Sequence, residues 1–272
     1  MPLIDPVLLK TRLGPLAGRF DVDAFDACDS TSSELLRRAD LGAPAGTVIV
    51  ADQQLAGRGR RGRQWLSAPD TSLTFSLLWR FSGSPTRLAG LSLAVGVALA
   101  QALETLGAQG VFLKWPNDVL VRQGSDYAKL AGILVELSSD RRGTQAVIGI
   151  GLNLSPPTID LPQPVAGLSQ VLVGEPDRHV VLAAVLSALA GVLEVFAETG
   201  FAGVQAAWQQ RHAWQDELVN LLGEGETLLS GRCLGADVDG ALLLETDSGI
   251  QRIFSGDVSL RRAGTALGVP LA

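Results

Sequence analysis

Short apolar runs alternate with polar segments that contain glycine or proline along most of the chain. Runs of three to nine residues that include β-branched or aromatic side chains predict strands. These strands cover Phe20 to Ala27, Thr47 to Ala51, Ser72 to Arg80, Val111 to Trp115, Val119 to Val121, Lys129 to Leu137 and Gln145 to Leu152. Longer apolar segments predict helices at Pro6 to Ala17, Arg87 to Leu106, Arg178 to Thr199 and Gly203 to His212. The pattern therefore predicts hairpin-linked strands with helical packing on one face.

The pattern changes after Trp214, where short strands and glycine turns replace the long helices. Predicted strands follow at Leu218 to Leu222, Thr227 to Leu234, Ala241 to Thr246 and Ile250 to Phe254. Short strands at such close spacing are typical of a small β-barrel. We therefore divide the chain into a larger unit, residues 1–216, and a smaller unit, residues 217–272.

A polar cluster, Asp29-Ser30-Thr31-Ser32, lies where the first strand gives way to a helix that runs through Glu34 to Ala39. Serine and threonine are favoured at helix N-caps, so Ser32 or Ser33 is the predicted cap. The remaining hydroxyls make this junction a candidate ligand-binding corner. An ordinary helix cap is the alternative for at least one of them.

The segment Gly57 to Arg63 reads Gly-Arg-Gly-Arg-Arg-Gly-Arg in a chain whose net charge is -6. Glycine lets the backbone approach a ligand closely, and guanidinium groups offer forked donors to phosphate or carboxylate. The acidic remainder of the chain argues against wrapping of a polyanion or an anionic membrane. The segment is thus a candidate anion-binding loop; a solvated linker or an RNA-binding run are the alternatives.

Lysine is rare in this chain, which carries 22 basic residues but only the lysines Lys10, Lys114 and Lys129. An ammonium is a compact, titratable point charge that arginine does not replace at a crowded site. Lys114 and Lys129 each lie in a distinctive motif, Lys-Trp-Pro-Asn-Asp and Lys-Leu-Ala-Gly-Ile-Leu. They are therefore candidate functional residues.

Composition excludes several other classes of protein and site. The 272 residues are 47% hydrophobic, enough for a large core, and no signal peptide or clean membrane span is predicted, which indicates a cytoplasmic protein. Cys28 and Cys233 lie far apart, and His179 and His212 lack partners at metal-binding spacing. We therefore expect neither disulfides nor a protein-held metal site.

Five motifs follow one another in a distinctive order. They are Ser30-Thr31-Ser32, Gln54-Leu55-Ala56 before the Gly/Arg loop, Lys114-Trp115-Pro116-Asn117-Asp118, Lys129 to Glu136, and Gly149 to Leu154. This order and spacing closely resembles the biotin protein ligases, the biotin-[acetyl-CoA-carboxylase] ligases of bacteria, over nearly the whole chain. The Gly/Arg loop together with Lys-Trp-Pro-Asn-Asp is highly specific, whereas a Gly/Arg run alone would be weak.

The resemblance implies an α+β fold: a mixed sheet with helices, related to class II aminoacyl-tRNA synthetases, followed by an SH3-like β-barrel. Residues 1–216 would then be the catalytic domain that binds biotin and ATP, and residues 217–272 the SH3-like domain. The implied carbon–nitrogen ligase activates biotin as biotinyl-5'-AMP and transfers it to a lysine of a biotin carboxyl carrier protein. It requires ATP and Mg²⁺, and biotin is its substrate.

The resemblance also implies roles for particular residues. The expected catalytic residues are Lys114, Lys129, Asp118 and Arg60, with Asp118 orienting or deprotonating the incoming lysine or, alternatively, stabilising the turn at Pro116. The expected biotin contacts are Ser30, Thr31, Ser32, Gln54, Gly57, Arg58, Gly59, Arg60, Lys129 and Gly132. The expected ATP and adenylate contacts are Arg58, Arg60, Arg63, Trp65, Lys114, Asn117 and Asn153. Mg²⁺ would arrive with ATP, near Asn117, without a direct protein site.

The chain departs from the family at Ser32, because family members often have asparagine at this position. Only about 28 residues precede Ser30, too few for the DNA-binding winged helix of bifunctional members, so a monofunctional ligase that does not bind DNA is expected. Family members often pair through their sheets, which makes a homodimer one expectation for this chain. A lipoate protein ligase, which shares the fold and the adenylation chemistry, is the main rival, and the arginine-rich loop argues against it.

Overall fold

The computed structural model describes residues 2–141, 143–157, 163–223, 226–254 and 258–263. Residues 264–272, which the prediction assigns to the smaller unit, lie outside this part of the chain. The strands of the larger unit are β1 (Asp21–Cys28), β2 (Thr47–Gln54), β3 (Ser72–Phe81), β4 (Val111–Lys114), β5 (Asp118–Gln123), β6 (Asp126–Asp140) and β7 (Gly143–Asn153). The helices are α1 (Pro6–Leu13), α2 (Thr31–Asp40), α3 (Leu91–Thr105), α4 (Arg178–Thr199) and α5 (Gln205–Gln209).

The seven strands form one mixed sheet in the order β1-β2-β3-β7-β6-β5-β4. Strands β1 and β2 are parallel because helix α2 carries the chain back between them, as a parallel connection requires. The other neighbouring strands pair antiparallel, and β6 and β7 form a long hairpin. The structure therefore confirms the predicted strands of the larger unit and the hairpins that link them.

Helices cover both faces of the sheet, which is one face more than the pattern predicts. Helices α3 and α4 pack against each other and belong to the main core. On the opposite face, α2 uses Leu35 and Ala39 to cover Ile49, Leu78 and Val147. Because both faces are covered, the central strands β3 and β7 are buried almost throughout, as in sheets packed on two sides.

A second, antiparallel sheet forms the C-terminal unit. Its strands are β8 (Leu218–Leu222), β9 (Thr227–Ala236), β10 (Leu242–Thr246), β11 (Gly249–Ile253) and β12 (Ser259–Arg262). Their order is β11-β10-β9-β8-β12. Four of these strands are predicted, whereas β12 is not, since its sequence Ser-Leu-Arg-Arg holds one apolar residue. The buried Trp115 Nε1 donates to Gly240 O at 3.1 Å and so joins the two units.

The helix boundaries correct two sequence predictions. The N-cap of α2 is Ser30 rather than Ser32 or Ser33: its backbone is extended, and its Oγ accepts from Ser33 N at 3.4 Å. Helix α3 begins at Leu91, later than predicted, because the preceding segment Pro85–Leu88 forms a separate 3-10 turn.

Two helical stretches, Pro85–Thr105 and Arg178–Gly203, are long and apolar enough to cross a membrane by length and composition. However, 67% and 56% of their most apolar windows are buried inside the protein. Core helices pass the same test, so this finding is weak evidence for a membrane span.

Candidate active site

Three charged side chains meet where β4, β5 and β6 run side by side. Lys114 at the end of β4 pairs in register with Asp118 at the start of β5, and Asp118 pairs in turn with Gly132 on β6. Lys129 Nζ lies 2.6 Å from Asp118 Oδ1, and Lys114 Nζ lies 3.6 Å from Asp118 Oδ2. One carboxylate therefore bridges the two lysines that the sequence singles out.

The environment changes the pKa of two of these groups. Burial lowers the pKa of Lys114 to about 8, against the opposing pull of the Asp118 charge. Burial also opposes ionisation of Asp118, yet the positive charges of Lys129 and Lys114 outweigh it and hold the pKa of that carboxyl below its usual range. The Trp214 ring, whose centroid is 5.1 Å from Lys114 Nζ, adds a cation–π contact. Asp118 is thus a carboxylate at neutral pH, whereas Lys114, with its pKa of about 8, titrates close to neutral pH.

The Gly/Arg loop, residues 57–63, lies across this cluster and is held at three points. Arg60 Nη1 donates at 3.2 Å to Oδ1 of Asn117, which lies in the turn between β4 and β5. Arg58 forms an ion pair with Glu136 on β6. Arg61 Nη2 donates to Gly223 O of the C-terminal unit at 2.9 Å, from a residue whose backbone is left-handed, with φ 61°. These intramolecular partners argue against a solvated linker.

Trp65 follows the loop, and its ring contacts β6 and β7 at Gly132 and Gly151. Glycine is required beneath its ring: a Cβ at Gly151 would overlap the ring, and one at Gly132 would come within 3.1 Å of it. Lys129 Nζ is 5.7 Å from the ring centroid, and the buried Trp65 Nε1 has no hydrogen-bond partner among the described residues. Gly132 and Gly151 therefore allow an aromatic side chain to contact the sheet next to the lysine cluster.

The predicted hydroxyl corner forms at the N-terminus of α2, next to the end of β2. Thr31 N and Thr31 Oγ1 both donate to Gln54 Oε1, at 2.8 and 3.1 Å. Ser30, Thr31 and Ser32 are all buried. Gly57 connects this corner to the loop, since a Cβ there would lie 3.1 Å from Gln54 Nε2 and would overlap Trp65 O. The corner, the loop and the lysine cluster are therefore neighbours.

Two predicted ligand contacts, Asn117 and Asn153, hold the backbone of β6 in this structure. Asn117 Nδ2 donates to Ile133 O at 2.8 Å, and Asn153 Nδ2 donates to Lys129 O at 3.4 Å. The Asn117 oxygen also accepts from Arg60. The described residues contain no group of three or more His, Cys, Asp or Glu that could hold a metal ion.

Sequence patterns did not identify Arg261, which β12 brings to the cluster. Burial lowers the pKa of Arg261, and the charge of nearby Arg63 lowers it further, while Asp118 raises it. Arg261 in turn lowers the pKa of Lys114. Arg261 thus adds a third positive charge to the two lysines at Asp118, and Arg63 lies near Arg261. No local motif marks Arg261, because it lies within β12, a short strand with one apolar residue in another unit.

Comparisons with known proteins agree on one family. A model described as the biotin/lipoate A/B protein ligase family matches residues 26–153, and one described as the biotin protein ligase C terminal domain matches residues 216–261. The chain is 36% identical over 270 residues to the bifunctional ligase/repressor BirA of Escherichia coli, covering 96% of this chain and 81% of BirA. It is 35% identical over 242 residues to the biotin-[acetyl-CoA-carboxylase] ligase of Paracoccus denitrificans, covering 85% of this chain and 96% of that one.

A similar structure extends this agreement to the fold. The biotin protein ligase from Aquifex aeolicus, solved in complex with biotin and ATP, superposes with a TM-score of 0.76 at 33% identity, over 89% of this chain and 99% of the other. The match extends into both units, because 89% of this chain is covered and the uncovered part is smaller than the C-terminal unit, residues 217–272. On sequence and structure together, the chain belongs to the biotin protein ligases.

Proposed function

We propose that the lysine–aspartate cluster, the hydroxyl corner and the Gly/Arg loop form the site in which this ligase joins biotin to AMP. The enzyme activates biotin as biotinyl-5'-AMP with release of pyrophosphate. It then transfers the biotinyl group to a lysine of a biotin carboxyl carrier protein and releases AMP. The observation that supports this site is its concentration of positive charge: Lys114 and Lys129 share one carboxylate, Asp118, and Arg261 is close enough to interact electrostatically with this cluster.

The first half-reaction brings two anions together. A carboxylate oxygen of biotin forms a bond to the α-phosphorus of ATP, and the bond from that phosphorus to the bridging oxygen of pyrophosphate breaks. Lys114 and Lys129 lie close enough to one another to contact both the carboxylate and the α-phosphate. Their charges offset the repulsion, and fixed positions lower the entropic part of the barrier.

The second half-reaction joins the carrier lysine to the anhydride. The lysine nitrogen attacks the biotinyl carbonyl, an amide forms, and the bond to the AMP oxygen breaks. Asp118 is held as a carboxylate by two ammonium groups, which makes it a weak base. We therefore assign Asp118 first to holding Lys114 and Lys129 in place, with orientation of the incoming lysine as its second role.

The remaining roles follow the positions of the side chains. Ser30, Thr31, Ser32 and Gln54 contact the polar end of biotin, and Gly57 to Arg60 close over it together with Gly132. Trp65 and Asn153 contact the adenine, by stacking and hydrogen bonding respectively. Arg58, Arg60 and Arg63 retain the adenylate, which hydrolyses readily and has to be shielded from water. Mg²⁺ would enter with the ATP phosphates, near Asn117, as is usual for sites in which substrate phosphates supply much of the coordination.

The finer features of the fold are part of the same proposal. The seven-stranded mixed sheet with helices on both faces supports a relation to class II aminoacyl-tRNA synthetases. The five-stranded C-terminal sheet supports an SH3-like domain, and a family model that begins at residue 216 supports domains at residues 1–216 and 217–272. Both cysteines are free thiols, which supports a reducing compartment, the cytoplasm. The proposed function includes a homodimer, and it includes neither DNA binding nor membrane binding.

Incubation with biotin, ATP, Mg²⁺ and a purified biotin carboxyl carrier domain tests the proposed activity. Intact-mass spectrometry should show one added biotinyl group on the carrier. A carrier whose acceptor lysine is replaced by arginine is the control and should keep its mass. Unchanged mass of the normal carrier in the presence of biotinyl-5'-AMP would contradict the transfer step.

A further inference from the structure

Beneath the hydroxyl corner lies a buried side chain with no assigned role, Ser76 on β3. It is fully buried. Its Oγ lies 2.8 Å from Thr31 Oγ1 and 3.0 Å from Ser32 Oγ. Thr31 Oγ1 lies in turn 3.1 Å from Gln54 Oε1. Four polar groups thus form a continuous row: Ser32, Ser76, Thr31 and Gln54.

The chemistry of the groups gives this row a single direction. The backbone N–H of Thr31 is 2.8 Å from the terminal amide of Gln54, and an N–H can meet only the oxygen of that amide, which fixes the amide orientation. The Thr31 hydroxyl therefore donates to Gln54 Oε1. Having used its one hydrogen, it accepts from Ser76, and Ser76 accepts from Ser32 for the same reason. Each hydroxyl in the row donates toward Gln54.

The direction of the row determines what the corner offers a ligand. With Oε1 held by Thr31, the Gln54 Nε2 group and its two N–H donors face the first glycine of the loop, Gly57. Ser32 keeps lone pairs free to accept. A group that combines a carbonyl with N–H donors complements this arrangement, as the ureido ring of biotin does. A purely apolar head would leave these buried groups unpaired, which is costly.

We propose that Ser76 is a positioning residue: it accepts the hydrogen of Ser32, so that Ser32 offers lone pairs to the ligand, and it donates to Thr31, and it thereby sets the preference for a ureido head over an apolar one. The proposal rests on the proposed function, in which the corner holds biotin. Ser76 acts through Ser32 and Thr31 and does not itself contact the reacting atoms. Gly149 keeps the row compact, since a Cβ there would press on Ser32 Oγ.

Thr74 provides a matched control on the same strand. It lies two residues before Ser76, on the same face of β3, and is equally buried. Its hydroxyl donates to Ala51 O at 2.7 Å. Thr74→Val therefore removes a buried hydroxyl at nearly constant volume without touching the row, and it measures the effect of losing any hydrogen bond in this strand.

The test is biotin-dependent and lipoate-dependent ATP–pyrophosphate exchange in wild type, Ser76→Ala and Thr74→Val. We expect Ser76→Ala to raise the KM for biotin about 10-fold, the scale of one lost hydrogen bond, with little change in kcat or in the KM for ATP. Exchange with lipoate should change little, so the preference for biotin should fall by a similar factor. Thr74→Val should keep the wild-type preference.

Equal changes in Ser76→Ala and Thr74→Val, or an unchanged biotin KM in Ser76→Ala, would overturn the positioning role. If Ser76→Ala does not fold, Ser76→Cys keeps the volume and a weak donor, and the same rise in biotin KM is expected. Wild type separates the two claims: exchange with lipoate alone would overturn the proposed function, whatever the Ser76 variants do.

Discussion

Lys129 Nζ lies 2.6 Å from Asp118 Oδ1, so this carboxylate is paired with a lysine before any substrate binds. The other oxygen faces Lys114 Nζ at 3.6 Å. A paired carboxylate with a lowered pKa holds cations in place better than it removes protons. We therefore expect Asp118 to support adenylation by holding the two lysines in place.

Asp118→Asn should impair adenylation, because it removes the charge that holds the two ammonium groups together. We expect single-turnover formation of biotinyl-5'-AMP to slow by about 10²-fold, on the scale of losing one preorganised charge contact. Transfer from added biotinyl-5'-AMP to the carrier should slow less. Normal adenylation with a selective loss of transfer would instead identify Asp118 as the base for the carrier lysine.

Lys114→Ala should reduce adenylate formation by at least ~10²-fold, since it removes a buried charge from the site of phosphoryl transfer. The exposed Lys10 on α1 offers the matched control, and Lys10→Ala should adenylate biotin normally. Quench-flow measurement of biotinyl-5'-AMP in a single turnover distinguishes these variants. Wild-type rates in Lys114→Ala would remove Lys114 from the mechanism.

The pKa of Lys114 predicts opposite effects of pH on activity and stability. Burial lowers this pKa to about 8 from 10.5, so kcat/KM for ATP, which reports the free enzyme, should fall as pH rises through about 8. Between the folded pKa of about 8 and the unfolded pKa of 10.5, the unfolded chain binds more protons than the folded chain. The free energy of unfolding should therefore increase as the pH rises through this range. Denaturant titrations of wild type and Lys114→Met isolate this contribution. An identical pH dependence in both proteins would contradict the lowered pKa.

Arg60→Gly should still make biotinyl-5'-AMP but release it, because the loop would lose its contact with Asn117 over the site. The signal is free biotinyl-5'-AMP in a filtrate after one turnover, compared with wild type. Arg12→Gly, at an exposed position on α1, is the control for loss of a surface arginine. Equal retention of the adenylate in Arg60→Gly and wild type would count against closure of the site by this loop.

Arg261→Ala should raise the KM for ATP about 10-fold, since the C-terminal unit would no longer contribute a cation to the cluster. The neighbouring Arg262 forms an ion pair with Glu217 at 3.1 Å and is 40% exposed, so Arg262→Ala should leave the KM for ATP unchanged. Steady-state exchange at varied ATP compares the two. Equal effects of the two substitutions would show that the C-terminal unit acts through its folding alone.

Local patterns in the sequence were sufficient for most of the elements that carry the site. The strands around Lys114 and Lys129 have short apolar runs bounded by turn residues, and the predicted hairpins formed. The N-cap is Ser30 rather than the predicted Ser32 or Ser33, because several hydroxyl residues follow one another there and propensity does not choose among them. The second covered face of the sheet depends on where α2 packs, which is a tertiary outcome.

Contacts between distant segments were beyond local patterns. The motifs indicate the importance of Lys114, Lys129 and Asp118, but the bridging of both lysines by Asp118 depends on the register of three strands. Arg261 enters the cluster from a strand without a clear apolar pattern, in a different unit. The sequence around Ser76 shows only an alternation of polar and apolar residues along β3. The link from Ser76 through Thr31 to Gln54 requires the packing of α2 on the sheet.

ATP–pyrophosphate exchange in the purified wild-type protein tests the central claim most directly, because it reports adenylation of the acid without the carrier. With isotope-labelled pyrophosphate, ATP and Mg²⁺ in one buffer, label should appear in ATP when biotin is added. Little label should appear with lipoate or octanoate at the same concentration. Exchange supported by lipoate or octanoate but not by biotin would contradict the claim that this site activates biotin.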